Sequence, residues 1–406
     1  MTNAYQDLTN FDEALKIDYL PVIRKQLENS TYLLSKLKRN ERDVSGKQWQ
    51  TVAHYQRNSG VGGGSEVGLP TAGKQSYLNP SGVVKYNRGR ITVSGPVMAA
   101  SKDNKGAIVR ALESEMKGVT RDLEKEINYQ LHNDGTSRRC LVNGDPGSET
   151  TTLTVDTPGT MYLSDGMVID IIADDTGVAT DADITISTVD SNTSCTVSAM
   201  DTGTADNDWV IRANSHDGAG IVPTDSYEMM GIKGIVDDAT YVDTLHGLAR
   251  GSYAWWKCST HSNDDNSGTN RDLTLPLIQQ SITAVAKNGG KTGLILSDHD
   301  TRDAYAALVI ADKRFVNTLD LDGGFKALAY NEIPWVADVD CLPNTVYFID
   351  LEHLEIMQMS SWSWMDRDGA VLSRVASADA YEAVLYWYAD LASDRPRAHS
   401  FLRDVS

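Results

Sequence analysis

From residue 108 to 131 the apolar residues keep a spacing that only a helix satisfies. Ile108, Leu112, Met116, Val119, Leu123, Ile127 and Leu131 follow one another in steps of four or three, so they line one side of an α-helix as a continuous stripe. The other side carries charges of alternating sign, Glu113, Lys117, Arg121 and Lys125. Ser101 is the expected N-cap, with Asp103 in the first turn, and Asn133-Asp134-Gly135 is the stop signal. About 31 residues at 1.5 Å each span roughly 45 Å. That is long against a mean of about 11–12 residues for helices of globular proteins.

Upstream, two features depend on something outside themselves. In the arm, Leu20, Ile23, Leu27, Leu34 and Leu37 recur at helical spacing from Pro21 onward, with Arg24, Lys25, Lys36, Lys38 and Arg39 on the polar side. That basic face is either simply solvated or turned toward DNA or a neighbouring subunit. Residues 48–95 then read as a long β-hairpin, with limbs Gln48–Tyr55 and Val83–Val93 flanking the tip GVGGGSEVGLPTAGKQSYLNPSG. A tip so rich in Gly, Ser and Pro builds no core, and a two-stranded ribbon is marginal in water without a surface to lie on.

Charge divides the chain. Its 406 residues have a net charge of −19, but residues 1–146 carry +5, residues 147–226 carry −13 and residues 227–406 carry −11. In the middle segment Arg212 is the single basic residue against 14 acidic ones. An overall balance this acidic argues against a free nucleic-acid-binding protein, because phosphate contacts need Lys and Arg. It allows a shell whose two sides differ in charge. No stretch approaches the ~20 apolar residues of a membrane helix, and the start, MTNAYQDLTNFDEALK, lacks the pattern of a secretory signal, so a cytosolic origin is expected.

Residues 147–226 alternate in short runs, Thr152–Val155, Met167–Ile172, Ile184–Val189, Cys195–Ala199 and Trp209–Ile211, separated by turns such as LSDG and ADDTG. This is the pattern of a small β-barrel or sandwich inserted into a larger domain. From 227 the pattern is mixed. A helix carries Leu275, Ile278, Ile282 and Val285 and ends at Asn288-Gly289-Gly290, and a strand Thr292–Leu296 follows it. Next comes a helix capped by Asp300, and then strands Trp335–Val339, Thr345–Asp350 and Tyr381–Leu391. The fold class is α+β.

No chemistry emerges from the motifs. Gly290-Lys291-Thr292 lacks the earlier glycine of a P-loop, since position 285 is Val, and it lies between a helix and a strand in the wrong order; it reads as a helix C-cap turn. Ser297-Asp298-His299-Asp300 is explained by Asp300 as a cap. Asp174, Asp175, Asp181 and Asp183 match no EF-hand spacing and read as solvated turns. Cys140, Cys195, Cys258 and Cys341 are widely spaced and read as reduced thiols rather than zinc ligands. No catalytic, cofactor or metal site is expected, and the chain is not read as an enzyme.

The order of these parts resembles the tailed-bacteriophage major capsid proteins, the Hong Kong 97-type fold with an inserted β-domain. The strings NRGRITVSGPV, LESEMKGVTRDLEKEINYQLHNDGTS, MYLSDGMVIDI, GGKTGLILSDHDTRDAYAAL, NTVYFIDLEHLEIM and YEAVLYWYADLASDRPRAHSFL carry the likeness over nearly the whole chain. The resemblance implies an N-terminal arm (1–47), an E-loop hairpin (48–100), a spine helix with the start of a peripheral domain (101–146) and an inserted acidic β-barrel (147–226). A return to the peripheral domain (227–272), an axial domain (273–375) and a C-terminal peripheral strand and tail (376–406) complete it. It further implies pentamers and hexamers closing into an icosahedral shell around double-stranded DNA. The E-loop would lie across the neighbouring subunit, the arm and spine partly inward, and the insertion outward.

Implied partners are further copies of the chain, a separate scaffolding protein in place of a long fused scaffolding segment, a portal, cement or decoration proteins, and packaged DNA held by non-specific contact. No membrane partner is implied, and the place is the virion, assembled in the bacterial cytoplasm. Lys74 lies in the loop where some relatives form crosslinks, but it reads here as a solvated lysine. An encapsulin-like nanocompartment shell and a surface-binding or decoration protein are the competing readings.

Overall fold

The computed structural model describes residues 32–64, 66, 68–96, 105–145, 149–156, 158–200, 203–217, 226–263, 269–311, 318–320, 326–366 and 371–406. The arm before residue 32, the cap Ser101 and its neighbour Asp103 lie outside the described residues. What is described of the arm differs from a continuous amphipathic helix. A single turn, Tyr32–Lys36, buries Leu33 and Leu34, and Lys38–Asn40 is already a strand, paired parallel with Glu355–Met357.

The long helix runs Lys105–His132. Leu123, Ile127 and Leu131 are buried in the main core with Met229, Ile232, Ile235, Leu385 and Trp387. Burying each such side chain contributes about 1.5–3 kcal/mol. The helix lies on a five-stranded sheet made by Lys38–Asn40, Glu355–Trp364, Ala380–Ala392, Ser373–Arg374 and Lys85–Ser94. Gly89 sets that approach, because a Cβ there would come within 2.6 Å of Val119 Cγ1. At its end the helix stops where Gly135 turns with φ +75°, a conformation glycine adopts without strain.

The hairpin needs a correction. Gln48–Gln50 pairs with Ser81–Val83, and Ala53–Gln56 with Ser76–Leu78. The expected second limb continues as Lys85–Ser94, but over its whole length that strand pairs with Ala380–Ala389. The ribbon is therefore short and its root is built into the five-stranded sheet.

The acidic middle forms a six-stranded antiparallel sheet, in the order Arg138–Leu141, Trp209–Arg212, Val168–Ile172, Ala179–Ser191, Ser194–Met200, Thr150–Thr154. The alternation seen in the sequence faces its apolar members inward: Leu153, Ile169, Ile171, Ile184, Ile186, Cys195 and Val197 share one cluster. Its first strand, Arg138–Leu141, begins before residue 147. A bridge between Val142 and Val155 joins the two edges of the sheet.

A seven-stranded mixed sheet completes the body, in the order Ser259–His261, Ser400–Arg403, Thr345–Ile349, Leu294–Ser297, Ile333–Ala337, Lys326–Tyr330, Thr318–Asp320. Thr345–Ile349 is buried at every position, as a central strand covered on both faces must be. Leu275–Lys287 and His299–Ala311 are its helices, and Ile278, Val285 and Tyr305 join its core, with Tyr305 stacked on Trp335 at 4.4 Å.

Candidate assembly interface

The hairpin has a fixed root and a bare tip. At the root Trp49 is buried, and its Nε1 donates to Asp390 Oδ2 at 2.9 Å. The indole meets the His246 ring edge-on at 4.7 Å and shares a cluster with Val84, Met357 and Ala392. Gly82 lies against the indole so closely that a Cβ would sit 2.6 Å from its ring atoms. Asp390 also accepts from the Met230 amide at 3.0 Å. Burial nevertheless pushes its pKa up to about 6, with the indole and amide donors pulling the other way. Burial, reinforced by Arg250, drives His246 down to about 3, so that ring is neutral at physiological pH.

Beyond the root, Ala53 still joins the main core and Tyr55 stacks on Trp255 at 5.4 Å, but the tip is more open. Leu69 is 94% exposed, Val61 79% and Tyr77 57%. Lys74 is exposed too. Leu69 and Val61 thus stand open among the described residues, while the Tyr77 ring meets only His54 of the facing limb, at 5.2 Å.

The body of the chain holds a buried polar frame of its own. Arg250 is buried completely and donates from Nη1 to Asp237 Oδ2 (3.0 Å) and the Val242 carbonyl (2.8 Å), and from Nη2 to the carbonyls of Gly234 (2.9 Å) and Ile235 (2.7 Å). Asp134, just past the helix, holds Lys233 at 2.7 Å. Burial opposes ionisation of Asp134, but Lys233 and Arg138 outweigh it and its pKa is lowered. Where the six-stranded sheet meets the helix, Arg139 pairs with Glu126 and lies 3.6 Å from Glu228, while Arg212 reaches Glu126 at 3.2 Å.

The residues weighed for chemistry are scattered. All four cysteines are free and buried, and burial raises every thiol, Cys195 to about 11 and Cys258 to about 12. Asp174 accepts from Trp209 Nε1 at 2.9 Å, Asp170 from the Asp183 amide at 2.8 Å, and Asp181 from the Ala182 amide at 3.0 Å; these are turn and packing contacts. Among the described residues no group of His, Cys, Asp and Glu is arranged to hold a metal. Lys291 donates its amide to Asp350 Oδ2, and Gly290 closes the helix by bonding the Val285 carbonyl. At 297–300 the cap is Asp298, whose Oδ2 accepts from the Thr301 amide at 3.3 Å; Asp300 lies inside the first turn. Two aspartates two positions apart carry the same capping chemistry, and the helix begins two residues earlier than expected. No described helix is long and apolar enough to cross a membrane.

Trp49, Asp390, Arg250 and Glu228, the residues that matter most here, carried no motif. Trp49 alone had a signal, as a large aromatic in a polar limb.

No family model matches the sequence, and no curated protein does. Solved structures do match. The capsid asymmetric unit of cyanophage A-1(L) is 16% identical with a TM-score of 0.58, over 96% of this chain and 95% of that one. The holo-SrpI encapsulin complex from Synechococcus elongatus is 8% identical with a TM-score of 0.51, over 99% and 96%. The capsid of a native GTA particle is 8% identical with a TM-score of 0.50, over 96% and 94%. At these identities the likeness is one of fold.

Proposed function

Because the chain has the fold of the tailed-phage major capsid proteins, we propose that it is the shell subunit of such a phage, a structural protein and not an enzyme. In this reading copies assemble as pentamers and hexamers into an icosahedral shell around double-stranded DNA. A separate scaffolding protein, a portal and cement or decoration proteins are its further partners, and assembly takes place in the bacterial cytoplasm. The six-stranded sheet, its edges joined at Val142 and Val155, is read as the inserted acidic barrel held outward, away from the genome. The domain divisions set out from the sequence are part of the same proposal, with the barrel's first strand moved back to Arg138.

The observation that carries the reading is the hairpin: a root locked by Trp49 and Asp390, and a tip whose Leu69 and Val61 are exposed. A neighbouring subunit supplies the surface the tip lacks. Electron microscopy of the purified chain tests this directly, with closed shells or capsomer rings expected. Leu69→Asp combined with Val61→Asp should leave the melting temperature unchanged and abolish those particles. A compact monomer from the unaltered chain, or normal particles from the double variant, would overturn the proposal.

The encapsulin likeness, over 99% of this chain, supports a second reading, a nanocompartment shell without a genome. Nuclease-protected DNA inside native particles separates the two.

A further inference from the structure

Two carboxylates compete for one buried arginine where the inserted sheet meets the long helix. Arg139, on strand Arg138–Leu141, is buried. It pairs with Glu126 of the helix, its charge lies over the Tyr129 ring at 4.2 Å, and it donates to the Tyr162 carbonyl at 3.3 Å. Glu228, on the segment returning from the inserted sheet, has a side chain 5% exposed and stands 3.6 Å from the same guanidinium. Neither of its carboxyl oxygens accepts a hydrogen bond from a described residue. Arg212, the other cation nearby, is half-exposed and committed to Glu126 at 3.2 Å. Asp134 faces the same space but is occupied by Lys233 and Arg138.

A buried carboxylate that accepts no hydrogen bond from the described residues, and shares its one close cation at 3.6 Å with a better-placed carboxylate, is costly to keep ionised and takes a proton. We propose that Glu228 is a proton-held latch: protonated, it lets Glu126, Arg139 and Arg212 bind the inserted sheet to the helix, and ionised, it sets two carboxylates against each other at that joint. On release the proton passes to solvent and no other bond changes. Burial, opposed by Arg139 and reinforced by Glu126, supports this by raising Glu228 to about 8. The inference concerns the joint within one subunit and is independent of whether subunits form a shell.

The sign follows from linkage. A carboxyl whose folded pKa lies above its unfolded value stabilises the fold fully below the unfolded value, and that stability is lost as pH rises through the folded one. Relative to Glu228→Gln, which mimics the protonated form, the full-length protein should lose melting temperature steadily between about pH 5 and pH 8 and no further above that.

Infrared difference spectra and amide exchange of the full chain test the latch. At pH 7 a carboxylic-acid band should be present that Glu228→Gln removes. In the unaltered protein the band should vanish near pH 8, while strands 138–141 and 209–212 lose protection that Glu228→Gln retains. Glu126→Gln, which frees Arg139 for Glu228, should move the loss of the band to lower pH. Matching spectra for the unaltered protein and Glu228→Gln at pH 7, or a band unmoved by Glu126→Gln, would sink the proposal.

Discussion

Trp49 Nε1 donates to Asp390 Oδ2 at 2.9 Å, joining the hairpin root to a strand 341 positions away. Two segments far apart in sequence are held by one polar contact inside an apolar cluster, and the carboxyl it satisfies is buried. Trp49→Phe keeps most of the packing and removes the donor. It should lower stability by about 1–3 kcal/mol, the usual cost of leaving a buried acceptor unpaired. The loss should be larger at pH 7 than at pH 4, where the carboxyl is protonated and needs the donor less. Chemical denaturation at the two pH values measures both, and equal losses would contradict the role given to the carboxylate.

Asp390 itself sets a pH dependence. With its folded pKa raised to about 6 from the ordinary 3.8, its favourable contribution is complete below about pH 4 and disappears as pH rises through about 6. Roughly two pKa units correspond to about 3 kcal/mol. Asp390→Asn removes that titration, so the stability difference between it and the unaltered protein should change across pH 4–6 and stay constant above pH 7. A difference that is flat from pH 4 to 6 would show that the carboxyl titrates elsewhere.

The sequence made the long helix and the strands of the inserted sheet legible because each has a local period, 3.6 or 2, that survives without knowing any partner. Partners are another matter. Lys85–Ser94 alternates as a strand should, yet nothing in its residues says that it pairs with Ala380–Ala389 rather than with the limb that precedes it. Strand Arg138–Leu141 reads as a basic pair before two apolar residues, and only its neighbour Trp209–Arg212 assigns it to the insertion. Buried charge was invisible for a related reason: Arg139, Glu228, Asp237 and Arg250 look like surface residues until their partners are brought to them by the fold.

Arg250 gives the sharpest of these cases. Its guanidinium holds Asp237 and three backbone carbonyls of the segment 234–242. Arg250→Met fits the space but strands a buried carboxylate, and it should cost about 3–5 kcal/mol. Arg250→Lys keeps the charge and loses the planar fork, so it should fall between the two. Urea denaturation ranks the three proteins, and an Arg250→Met variant as stable as the parent would show that Asp237 and the carbonyls are satisfied without the guanidinium.

The helix stripe supplies the last test, because the two faces of one helix can be compared directly. Leu123 is buried in the main core, whereas Arg121, two residues away, is exposed. Asp has the same low helix propensity at either site, and Arg121→Asp makes the larger change in net charge, so neither term would single out Leu123→Asp. Leu123→Asp additionally forces a carboxylate among Ile127, Leu131 and the sheet residues of the main core, where an unpaired charge is heavily penalised. Leu123→Asp should therefore fail to fold into soluble protein at 37 °C or melt far below the parent, while Arg121→Asp should shift the melting temperature by no more than a few degrees. Equal behaviour of the two variants in a thermal melt would mean that the stripe is not what fixes the helix to the sheet.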